Sequence, residues 1–136
     1  MATTYSYQDL KPVNRYQAMS ADTTLTAADS GKTFLMAATG KAIILPAVKA
    51  GVFFKFLCKT TTASTNWTVG TASGANVIFG SAQVAGAVVA ADAEDLITLV
   101  VAKYLPGDWV SVECDGTNWY VEGSVVTAAG VTFTVT

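Results

Sequence analysis

The chain has 136 residues, a net charge of −2 and no histidine; 51% of its residues are hydrophobic and only 13% charged. The missing histidine excludes histidine-based acid–base catalysis. Two cysteines without histidine speak against a zinc site, and the lack of a basic stripe speaks against nucleic acid. No run approaches the roughly 20 apolar residues of a membrane helix, so the expectation is no membrane partner. The apolar excess sits in short Val, Ile, Phe and Ala segments. It exceeds what a monomer usually leaves bare, which predicts burial against further copies in a homo-oligomer.

Residues 1–21 differ from the rest. Tyr5, Tyr7, Leu10, Val13, Tyr16 and Met19 stand among polar residues with no period. Disordered tails are usually poor in aromatics, so this stretch reads as an extended N-terminal arm that docks on another surface, with Tyr5, Tyr7, Leu10 and Tyr16 as its contacts. No charged and apolar leader precedes it, and no secretion signal is expected.

Residues 22–136 read as one β-sandwich domain. A helical or 3₁₀ turn is predicted at 27–30, stopped by Gly31. Strands follow at 33–37, at 42–45 before Pro46, and at 52–60, where Phe54, Phe56 and Cys58 share one face and Phe53, Lys55 and Leu57 the other. Further strands are predicted at 67–71, 77–79 and 95–103. The small apolar stretch 80–93 is ambiguous: alanine favours helix, while Gly86, Val88 and Val89 favour loop or strand. Residues 131–135 alternate as a last strand. Cys58 and Cys114 lie in apolar strand patterns and are expected as buried free thiols, a bridge between them being the alternative.

The clearest element is GDWVSVECDGTNWYVEG at 107–123. Asp115-Gly116 fits a two-residue hairpin turn, which sets Cys114 opposite Thr117, Val112 opposite Trp119 and Val110 opposite Val121. Val110, Val112, Cys114, Trp119 and Val121 then form a core face. Trp109, Ser111, Glu113, Asn118, Tyr120 and Glu122 form a mixed face that another body should cover. In all, eight or nine short strands separated by turn signals predict an all-β sandwich or jelly-roll-like fold.

Several segments carry a family likeness: LTAADSGKTF at 25–34, IILP at 43–46, Ala50-Gly51, Gly107-Asp108 and DGTNWY at 115–120. Together they resemble surface proteins of tailed-bacteriophage virions, most of all small capsid decoration or cement proteins. Similar segments occur in tail-fibre modules. The resemblance implies a β-sandwich or jelly-roll subunit that forms trimers on the major capsid protein and stabilises the shell. The chain would then be made in the host cytoplasm and sit on the outer capsid surface of the virion. It implies no cofactor and no catalysis.

The chemistry of the remaining motifs is thin. Gly31-Lys32-Thr33 echoes the end of a phosphate loop, but Thr26 stands where its first glycine belongs. Asp92, Glu94 and Asp95 read as a solvated strand entry. Glu113 and Glu122 share a hairpin face and form the one conceivable glycosidase pair. Trp109, Asn118 and Tyr120 are assigned to a subunit interface, where Trp and Tyr are enriched, with a sugar-stacking platform as the alternative. The leading reading is therefore a non-enzymatic virion protein that clamps neighbouring capsid subunits. The alternative is a receptor- or glycan-binding knob of a tail fibre, against which stand the short length and the chain's own start methionine.

Overall fold

In the computed structural model, which describes residues 15–37, 39–61 and 64–136, burial alternates along 53–58, 109–114 and most of 119–125 as their sequences dictate. The first six elements are β1 (Tyr16–Ala18), β2 (Thr23–Thr24), β3 (Thr33–Met36), β4 (Ala42–Ile44), β5 (Phe53–Cys58) and β6 (Trp67–Gly70). They are followed by β7 (Ile78–Val84), β8 (Ala87–Glu94), β9 (Leu96–Leu99), β10 (Trp109–Cys114), β11 (Trp119–Val125) and β12 (Val131–Thr134). Short 3₁₀ turns at Ala27–Asp29 and Ala72–Gly74 complete the set.

Two sheets pack face to face as a β-sandwich. One has seven strands in the order β1-β3-β5-β10-β11-β7-β8, the other five in the order β12-β9-β6-β4-β2. From β1 to β7 the chain changes sheet at every step. Consecutive strands within one sheet are thus separated by a return strand in the other and run the same way. This is why β1, β3 and β5 pair parallel, as do β2, β4 and β6, and why both sheets are mixed.

The core lies between the sheets. Phe34 stacks on Phe56 at 5.7 Å between ring centroids, and Phe54 approaches Phe34 and Trp119 at 6.0 Å each. Ile43, Trp67, Val69, Ile97 and Leu99 face them, all fully buried. Aromatic pairs in this range add about 0.5–1.5 kcal/mol beyond their burial. Cys58 and Cys114 are buried free thiols, as expected. Burial pushes the Cys58 thiol up to about 12, with the Asp108 charge adding to the effect.

Three strands go beyond the predicted set. β8 occupies the ambiguous stretch, joined to β7 by a tight turn in which Ala85 and Gly86 both have positive φ, 51° and 82°. β2 is only two residues long. β1 lies within the predicted arm: Tyr16–Ala18 pair with Thr33–Leu35, and Met19 is buried in the core. Residues 16–19 are thus part of the body, whereas Tyr5, Tyr7 and Leu10 lie outside the described residues.

The hairpin turn differs from the prediction. Cys114 pairs with Trp119, Val112 with Val121 and Val110 with Gly123, so the loop has four residues, 115–118, rather than two. Among these only Gly116 takes a positive φ, 102°. Asp115 stays in an ordinary conformation because its carboxylate caps the loop instead. Its Oδ1 accepts the backbone N–H groups of Thr117 and Asn118, each at 2.8 Å. The register moved by two residues, and with a side-chain period of two every residue of the two strands kept its predicted face, while Asn118, expected on the mixed face, falls in the loop.

Candidate interaction face

The outer side of the seven-stranded sheet is the broadest surface that the predicted site residues share. Register aligns them in rows across the strands. One row runs Phe53, Glu113, Tyr120, Phe79, Asp92. The next runs Tyr16, Thr33, Lys55, Ser111, Glu122, Ser81, Ala90. A third carries Leu57, Trp109, Ser124, Gln83 and Val88.

The residues assigned to a subunit interface do not form one patch. Tyr120 is 44% exposed and sits beside Glu113. Trp109 is half-buried at the other end of β10, four residues and thus about 13 Å away along the strand. Its ring is already covered: the Lys55 ammonium lies 4.8 Å from the ring centroid, a cation–π contact of about 0.5–1 kcal/mol at such a site. Asn118 belongs to the loop, where its carbonyl accepts the Asp115 N–H at 3.1 Å. The Tyr120 hydroxyl donates to Asp115 Oδ2 at 2.9 Å. The N–H groups of Asn118 and Thr117, and then this hydroxyl, hold the Asp115 carboxyl below the usual range. Tyr16 is 60% exposed at the sheet edge.

Phe53 was placed by sequence on a face with Lys55 and Leu57, yet the role of that face was not legible. Pairing of β5 with β10 brings it beside the hairpin, and Phe53 is 50% exposed in the same row as Tyr120. A groove of about 280 Å³ runs there, lined by Arg15, Lys32, Phe53, Lys55, Ser111 and Glu113. Lys32 is held by Asp29 at 2.7 Å, and this contact, followed by the Thr26 N–H, lowers the Asp29 pKa. Glu113 and Glu122 are exposed on this face, diagonal to each other across β10 and β11.

A second cleft, of about 210 Å³, opens at one end of the sandwich. Pro46, Val48, Thr71, Val77, Thr117 and Trp119 line it, and its walls are mainly apolar. Two further acids are structural, and Asp95 departs from the solvated strand entry expected of Asp92, Glu94 and Asp95, because its carboxylate is buried. Asp108 is buried, with Oδ2 accepting the Leu105 N–H at 2.8 Å and Oδ1 the Val126 N–H at 3.2 Å. Asp95 is buried too and receives both the N–H and the hydroxyl of Thr136. Among the described residues, no three Cys, Asp or Glu side chains are grouped to hold a metal ion, and no helix is long and apolar enough to cross a membrane. No family model, no curated protein and no solved structure matches this chain.

Proposed function

We propose that the chain is a non-enzymatic structural protein of a tailed-bacteriophage virion: a decoration protein that binds the assembled capsid from outside and clamps neighbouring subunits. The family rests on the sequence resemblance alone, and so does the number three for its oligomer. The observation that carries the clamping reading is where the N-terminal segment joins the body. The described chain begins at Arg15, which lines a groove on the outer face of the seven-stranded sheet beside the exposed Phe53. The described residues hold a core of their own, with Phe34, Phe54, Phe56 and Trp67 fully buried. In this reading Tyr5, Tyr7 and Leu10 make the contacts with the capsid. An extended chain reaches about 3.3 Å per residue, so fourteen residues span roughly 45 Å. Several such segments on one oligomer would sum weak contacts through effective concentration. Binding only the assembled shell would stabilise it by mass action.

The structure sets the experiment. A cut after residue 21 would remove β1 and the buried Met19, whereas a cut after residue 14 leaves every described element in place. Full-length and 15–136 chains are added to stripped particles, and binding and particle melting are measured. The full chain should bind and raise the disruption temperature, and the shortened chain should bind at least tenfold more weakly. Equal binding by both would rule out the clamp. Binding by neither would make the tail-fibre knob the leading reading.

A further inference from the structure

The outer face of the seven-stranded sheet is divided by charge. Strands β1, β3 and β5 contain Lys55 and no acidic residue, and Arg15 and Lys59 adjoin their ends. Strands β10, β11, β7 and β8 contain Glu113, Glu122 and Asp92 on this face and no basic residue at all. Sheet order turns this into a spatial split, with one flank positive and the other negative. Both flanks also carry apolar side chains that a solvated face does not need, Phe53 on β5 and Tyr120 on β11 at half exposure and Val88 on β8 at 64%.

We infer that this face binds a second copy of the same chain, the positive flank of one copy lying over the negative flank of the other. The occupant follows from complementarity: the chain's own face carries the charge pattern opposite to itself once turned over. A two-fold axis along the strands near β10, the fourth of seven, performs that turn, sets Lys55 over Glu122 of the second copy and makes the contact isologous, at the cost of one approach of Glu113 to its own copy near the axis. The size also fits. Six spacings of about 4.8 Å by strands of about 20 Å give roughly 600 Å² of projected area, close to the ~800 Å² of accessible surface per partner in standard interfaces. Copies laid over each other without the turn would set like charges together, which costs affinity and excludes that arrangement. This inference rests on the reading of the face as a subunit interface, stands apart from capsid binding, and gives a two-fold contact in place of the threefold one that the resemblance implies.

The test uses the purified full chain in sedimentation equilibrium at micromolar concentration, at about 0.01 M and about 1 M salt, where the Debye length falls from ~30 to ~3 Å. The wild type should associate, and more tightly at low salt. Lys55→Glu and Glu122→Lys, both at exposed positions, should each weaken association at least tenfold with unchanged circular dichroism. An equimolar mixture of the two variants should recover it, because each then offers the charge that the other lacks. A wild type that stays monomeric, single variants that associate like the wild type, or a mixture no tighter than its parts would each overturn the inference. Particle binding is read separately, so loss of one result leaves the other intact.

Discussion

At the residue scale, Cys58 shows how the interior fixes chemistry. Its sulfur lies 3.9 Å from that of Met36, in a buried site that disfavours a thiolate, and with the Asp108 charge nearby its pKa rises from 9.0 to about 12. The native state thus holds the proton over a pH range where the unfolded chain releases it. Stability from this group is complete below pH 9 and is lost as pH climbs toward 12, at about 1.4 kcal/mol per unit. The expected result is a melting temperature that falls between pH 9 and 10 more steeply in the wild type than in Cys58→Ala. At pH 8 neither thiol should react with an aromatic disulfide until denaturant is added, after which two should. Gly80 is a second case. Its φ is 119°, and a Cβ there would fall on the Val121 carbonyl oxygen across β11, so this position of β7 admits no side chain without backbone displacement.

At the element scale, the ends of strands are held by buried acids rather than by regular pairing. Asp108 ties the turn before β10 to the exit of β11 through Leu105 and Val126. Asp95, between β8 and β9, clips the end of β12 through Thr136, with four donor–acceptor distances between 2.9 and 3.2 Å. Removing Thr136 would leave the Asp95 carboxylate buried without those donors. Such orphaned groups cost about 1–3 kcal/mol. Chemical denaturation of the 1–135 chain should show a loss of this size, and Asp95→Asn in the shortened chain should recover part of it, since it removes the buried charge. An unchanged midpoint would mean that the clip is idle.

At the scale of the whole molecule, the winding between sheets sets the folding problem. No pairing in the β1–β6 region joins strands that are adjacent in sequence; each must close over an intervening strand of the opposite sheet. Loop-closure entropy is then spent before the contacts that offset it are formed. Refolding followed through the buried Trp67 and Trp119 should take about milliseconds to seconds, the range of sandwiches rich in non-local pairing. A microsecond phase carrying the full fluorescence change would contradict this topology. The β7–β8 and β10–β11 hairpins are the local exceptions.

The sequence by itself determined which stretches are strands and which side each residue faces, because the pleat has a local period of two. That held even where the turn did not: a shift of two residues at 115–118 left Val110, Val112, Cys114, Trp119 and Val121 in the core. It also marked the buried thiols and the turn at Ala27–Asp29. Tertiary structure decided the rest. The alanine-rich β8 is a strand because β7 offers it a partner along nearly its whole length, with one bulge at Ala93, which overrides helical propensity. All three residues of β1 are exposed, so no alternation could reveal it, and it is a strand because the edge of β3 is open to it. The flanks of opposite charge exist only once β5 lies beside β10 and β7 beside β11. Strand order is a non-local choice, settled by packing two apolar faces together, and no window of sequence contains it.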